Sequence, residues 1–315
     1  MGVKDDIPRE LKPWFKVFDQ LCNRHDYIIV FDDYLLMLLN WFANAEFKEQ
    51  WFDRKRRYDE KELILFNELY RELILMFQKQ IDTGVKWYDP FGDLYQVLSS
   101  RGKASKLGQF FTPESLCDMI AQMNIDKERI EQLVGDPACG SGRMLLAAHS
   151  VNRTNHYVAQ DLDRMCCMMT AINMALHCMS GVVIHGNTLS MENYEYWAVS
   201  RVEVEENVFL PKINIITKEQ YEEWHEKQLF ISKWINPQRR KAFDEEETAE
   251  IIEQFETATE SVTPNISNDN GATLQVRHEH DQSNIHQERA TRSKNVHKSS
   301  SKLIINPDNQ LSLFD

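Results

Sequence analysis

Apolar positions recur at three- and four-residue steps through the first eighty residues: Leu35, Leu38, Leu39 and Phe42 form one stripe, Leu65, Leu69, Leu73 and Met76 another. That period belongs to amphipathic helices and predicts a helical N-terminal region over 8–82. Asp82-Thr83-Gly84 stops it, and Asp89-Pro90 opens a shorter helix to about Ser99. From Thr112 the rhythm changes. Thr112 is placed to cap a helix opening at Pro113-Glu114, its hydroxyl accepting from a free N–H of the first turn. The run Gln132 to Gly135 reads as a buried strand. A glycine-rich turn, a helix from Arg143, a strand from Tyr157, a helix from Asp163 and a strand from Val182 follow in order. This βαβαβ succession predicts an α/β fold with a parallel sheet and right-handed crossovers. Val199 to Val204 alternates and Val208 to Ile216 is rich in β-formers, which predicts one hairpin.

Composition divides the rest. Residues 218–260 read as an acidic helical segment, and 261–301, mostly Ser, Asn, Thr, His and Gln, lack the apolar residues needed to fold and predict a disordered tail. The chain thus reads as a helical region (1–100), an α/β domain (101–217), the acidic segment, a linker and a C-terminal peptide (302–315). With 42% hydrophobic and 27% charged residues it is in the globular class. The most apolar stretch, Tyr27 to Ala43, is broken by Asp32-Asp33 and does not make a membrane span. The charged N-terminus carries no secretory signal, so a cytoplasmic protein is expected. Six cysteines without a C-x-x-C pair predict reduced thiols and no metal site. The net charge of −13 opposes DNA binding by bulk electrostatics and lies within 1–260, because acids and bases balance beyond Ser261.

The sharpest chemistry is Asp136-Pro-Ala-Cys-Gly-Ser-Gly142, between a strand and a helix. Gly140 and Gly142 let a ligand approach the backbone without meeting a Cβ, and the helix start presents N–H groups. Asp161 and Asp163, at the end of the next strand, are where a carboxylate can accept from two ribose hydroxyls. The third strand ends in Gly186-Asn-Thr-Leu, whose Asn187 can pair with an adenine edge. Cys139 lies near a helix N-terminus, a setting that lowers a thiol pKa.

At these residues the chain resembles the adenine-N6 DNA methyltransferases, most closely the modification subunit of type I restriction systems. Gly108-Gln-Phe-Phe-Thr-Pro113, Asp136 to Gly142, Gln160-Asp-Leu-Asp163 and Gly186 to Leu189 match the family's motifs in order and spacing. The resemblance covers roughly residues 85–190 and implies a Rossmann-like methyltransferase fold, with a sheet either complete or cut short here, and S-adenosyl-L-methionine as cofactor. It places Phe111, Thr112 and Pro113 around the methionine end, Asp136 on the amino group, and Ala138, Cys139, Gly140 and Gly142 along the cofactor. Asp161 would take the ribose and Asn187 the adenine. It also implies that Cys139 is no nucleophile.

One family element is missing. The Asn-Pro-Pro-[Phe/Tyr] loop, which orients the adenine amine, does not occur: Asn236-Pro237 is followed by Gln-Arg and Asn306-Pro307 by Asp-Asn. Three readings follow: a cofactor-binding homologue that is catalytically incomplete alone; an active adenine methyltransferase whose loop has diverged or comes from another chain; or a protein with a different methyl acceptor or a cofactor-gated interaction module. DNA is the expected partner, directly or through another subunit. Arg54-Lys-Arg-Arg57, the Arg101, Lys103 and Lys106 group, and Arg239-Arg-Lys241 are candidate phosphate contacts, though such runs are more often solvated faces. Gln310, Leu311, Leu313 and Phe314 resemble the peptide by which bacterial proteins dock on the DNA polymerase sliding clamp, offering three apolar anchors and one amide.

Overall fold

The computed structural model describes residues 7–99, 111–205 and 208–234. The chain forms two units, Met1–Glu245 and Glu246–Asp315, and only the first contains described residues. The linker, the C-terminal peptide with its four candidate anchors, and the basic groups at 101–106 and 239–241 lie outside them.

The N-terminal region folds into α1 (Lys12–Leu21), α2 (Tyr27–Phe42), α3 (Lys48–Lys55), α4 (Glu60–Asp82) and α5 (Pro90–Ser99). The helix starts are written locally. Asp26 caps α2 by accepting from the Ile28 N–H, and Asp59 with Glu62 forms a reciprocal capping box at α4. Gly84, with φ of 79°, follows the end of α4. The α2 and α4 stripes are buried, apart from the partly covered Phe42 and Leu65.

After α6 (Glu114–Asn124) come β1 (Leu133–Asp136), α7 (Arg143–Val151), β2 (His156–Asp161), α8 (Arg164–Leu176) and β3 (Ser180–Asn187). These three strands are parallel and adjacent in the order β1-β2-β3. Next, β4 (Glu192–Glu205) turns back antiparallel on β3, and β5 (Val208–Ile216) pairs antiparallel with β4. The expected hairpin is present, with a first strand that begins at Glu192 rather than Val199. α9 (Lys218–Trp234) follows.

Period-two alternation gives the sheet two covered faces. Tyr157, Ala159, Val183, Trp197 and Val199 belong to one continuous core with residues of α1 to α8, so the helical region and the sheet share a core. Burying a large apolar side chain there contributes about 1.5–3 kcal/mol. On the opposite face Val182, Ile184 and Tyr196 meet Tyr221 and Trp224 of α9. Among the described residues no helix is long and apolar enough to cross a membrane, and no cluster of metal-ligating side chains is found. Cys166 and Cys167 are buried in this core, as are Trp14, Trp51, Trp87 and Trp197.

One local expectation is corrected. Pro113, not Thr112, is the N-cap of α6, and no side chain caps that helix. In the basic run 54–57, Arg56 stays exposed while Arg54 and the half-exposed Arg57 also serve an internal carboxylate. Both donate to Asp33, which is fully buried and also accepts from the Tyr58 hydroxyl at 2.8 Å. Arg54 pairs with Asp32 as well. A buried carboxylate needs several donors, and these arginines supply them.

Candidate functional site: the loop between β1 and α7

β1 delivers Asp136 to the C-terminal edge of the sheet, where ligands of open α/β sheets bind. The following loop is tied down on three sides. The Cys139 N–H donates to Gln160 O at 2.9 Å and the Gly140 N–H to Asp161 Oδ2 at 2.9 Å, both at the end of β2. Thr170 of α8 donates to Gly140 O at 2.9 Å, and Thr188, in the turn after β3, donates to Pro137 O at 2.8 Å. Strand ends, loop and turn therefore form one cradle.

The glycines have definite work here. Gly140 and Gly142 have φ of 56° and 90°, a region that costs other residues about 1–2 kcal/mol. A Cβ on Gly140 would lie 2.9 Å from the Phe111 ring, and one on Gly142 would lie 3.2 Å from Thr170. Phe111 itself stacks on Tyr95, with ring centroids 5.6 Å apart. Hence the close neighbour of Gly140 is a side chain that the sequence had placed in the same site.

Asp161 accepts from the Gly140 N–H through one oxygen and from the Asp163 N–H through the other, at 2.9 Å each. These bonds fix the plane of its carboxylate. Asp163 turns to α8 instead: it caps the helix by accepting from the Met165 N–H and takes the Tyr95 hydroxyl at 3.1 Å. Asp136 accepts from the Ala138 N–H at 3.1 Å, and burial, with Asp161 nearby, raises its carboxyl above the usual carboxylate range. Asn187 Oδ1 accepts from the N–H groups of Leu189 and Ser190, closing the turn after β3.

The Cys139 thiol is buried and burial pushes it well above its ordinary pKa, with Cys167 and Asp161 adding to the rise and Thr170 opposing it. Burial thus overrides the expected lowering at a helix start. Of the predicted residues, Phe111, Asp136, Ala138, Cys139, Gly140, Gly142 and Asp161 are joined by these contacts. Thr112 and Pro113 join as the chain between Phe111 and α6, and Asn187 through its neighbour Thr188. Sequence reading missed Asp89 and Tyr95, which brace the cradle from α5, and the exposed Leu162 beside Asp161. Their signal was the Asp-Pro-Phe-Gly-Asp-Leu-Tyr95 segment at the α5 start, which marked only a helix.

A parallel βαβαβ unit with a glycine loop after β1 and an acid at the end of β2 defines a Rossmann-like α/β domain. Residues 86–208 match the family model described as "N-6 DNA Methylase". The type I restriction enzyme MpnII methylase subunit of Mycoplasma pneumoniae is 32% identical over 120 residues, 34% of this chain and 22% of that protein. The MjaVII methylase subunit of Methanocaldococcus jannaschii is 28% identical over 126 residues, 38% of this chain and 21% of that protein. The crystal structure of a type I restriction-modification methyltransferase subunit from Streptococcus thermophilus aligns with 60% of this chain and 59% of its own, at 16% identity and a TM-score of 0.30, a likeness too weak to place residues. Residues 86–208 are thus similar to adenine-N6 DNA methylases, and the curated relatives that share them are methylase subunits of type I restriction enzymes. The chain spans about a fifth of the length of the curated relatives it matches.

Proposed function

We propose that this chain binds S-adenosyl-L-methionine in the cradle and is a DNA adenine-N6 methyltransferase homologue that does not complete methyl transfer alone. The carrying observation is the bond from the Gly140 N–H to Asp161, which makes the glycine loop and the strand-two acid one preorganised surface. The residues fit the cofactor chemically. Asp136, held among like charges and above its usual pKa, favours a cationic partner such as an ammonium group. Asp161, oriented by two backbone donors, keeps lone pairs for ribose hydroxyls. Phe111, Thr112 and Pro113 would border the methionine end, Ala138, Cys139, Gly140 and Gly142 would line the cofactor, and Asn187 would face the adenine. When bound, the cofactor supplies a methyl group activated by its sulfonium.

Incomplete catalysis rests on the missing amide-Pro-Pro-aromatic loop, since without it nothing aligns the exocyclic amine with the methyl group. The assay is tritium transfer from labelled cofactor to mixed-sequence duplex DNA by the purified full chain. The expected result is no incorporation above background. Robust labelling of adenine would replace this reading with that of an active enzyme whose base-binding loop has diverged.

A further inference from the structure

Beneath the cradle lies a buried ionic cluster that no cofactor contact explains. Asp89, just before α5, is fully buried and accepts four hydrogen bonds. Its Oδ1 takes the Gly92 N–H at 2.9 Å and the Asn173 amide at 2.7 Å; its Oδ2 takes the Ser141 hydroxyl at 2.5 Å and Arg143 Nε at 2.6 Å. Arg143 gives a second hydrogen bond, to Asp93 Oδ1 at 2.5 Å. Its side chain is 6% exposed, and its guanidinium carbon lies 5.8 Å from the centre of the Phe111 ring. A cation is therefore held directly behind the ring assigned to the methionine end.

We infer that Asp89 is a positioning residue for the cofactor, which anchors the glycine loop through Ser141 and cancels the charge of Arg143, so that the cradle presents Asp136 and Asp161 as net negative charge to a sulfonium. This rests on the cofactor reading above and adds to it a source of selectivity. Removing Asp89 leaves Arg143 with Asp93 alone and makes the cluster one charge more positive, which disfavours a sulfonium nearby in a medium that screens poorly. S-adenosylhomocysteine has the same adenosine and amino acid ends without the sulfonium charge, so loss of compensation weakens one ligand more than the other. Simple loosening of the loop would weaken both alike.

The test is equilibrium dialysis of the full-length chain, wild type and Asp89→Asn, against each of these two ligands. Asp89→Asn is expected to weaken S-adenosylmethionine tenfold or more and S-adenosylhomocysteine less than threefold. Should Asp89→Asn not fold, Asp93→Asn, which removes the outer partner of Arg143, is expected to shift the ratio in the same direction by a smaller factor. Equal weakening of both ligands, or unchanged binding, in the folded variant would overturn the inference while leaving the cofactor reading intact. Failure of the wild type to bind either ligand would instead strike the cofactor reading, and this inference with it.

Discussion

Replacing Asp161 by Asn changes one atom and should damage the cradle twice. In the wild type both carboxylate oxygens accept backbone N–H groups, from Gly140 and from Asp163, each at 2.9 Å. An amide offers one acceptor and one donor, so in either orientation an NH2 group faces an N–H. Hydrogen bonds to a charged group contribute about 1.5–3 kcal/mol each. Losing one of them should therefore lower stability by about 1.5–3 kcal/mol, since the displaced N–H lies at the half-open site and water can replace part of the bond. Cofactor affinity should fall further, because the ribose hydroxyls exchange a charged acceptor for a neutral amide oxygen: about 2–4 kcal/mol in all, or roughly 30- to 800-fold. Urea unfolding followed by tryptophan fluorescence measures the first effect, and equilibrium dialysis with tritiated S-adenosylmethionine the second. An Asn variant that keeps wild-type stability and binds the cofactor within threefold of wild type would refute the placement of Asp161 at the centre of the cradle.

Other consequences follow from contacts away from the ligand. Asp33→Ala removes the buried acceptor shared by Arg54, Arg57 and the Tyr58 hydroxyl and should cost about 1.5–3 kcal/mol in urea unfolding, since Arg54 keeps Asp32 and Arg57 reaches water; a loss under 0.5 kcal/mol would show that this cluster does not hold the helices together. His149 is buried against Tyr157 and desolvation lowers its pKa to about 4. Because the unfolded chain takes up that proton first, stability should be full above pH 6.5 and decline as pH falls toward 4, by about 3 kcal/mol at most for this group. Asp93, Glu114 and Asp136, raised by burial, work in the opposite sense at the acid end. His149→Phe should therefore flatten the decline between pH 6.5 and 5, and an unchanged profile would show that His149 does not drive it. The resemblance of residues 310–314 to a clamp-docking peptide predicts that a fluorescent peptide of residues 302–315 binds a purified bacterial sliding clamp, and equally weak binding by a peptide carrying Leu313→Ala and Phe314→Ala would end that reading.

What could be read from the sequence was what is encoded within a few residues. The stripes of α2 and α4 and the strand-loop-helix around Asp136 are local patterns, and each lies where the sequence placed it. The start of β4 was missed because Glu192 to Tyr196 carries two glutamates and an asparagine, residues depleted in strands; pairing with β3 overrides that preference. The loop chemistry was legible because glycine, aspartate and spacing coincide within one turn. Asp89 was not, because its partners Ser141, Arg143 and Asn173 stand more than fifty residues away and no periodicity links them. Arg54 and Arg57 were opaque for the same reason: a basic run looks alike whether it faces water or a buried aspartate 21 to 24 residues earlier.

Isothermal titration of the purified full chain with S-adenosylmethionine tests the central claim most directly. One site per chain is expected, with affinity falling as pH drops through the raised pKa of Asp136, since the protonated acid no longer meets a cation. Absence of binding heat across temperatures, confirmed by dialysis, would contradict a cofactor site in the loop between β1 and α7.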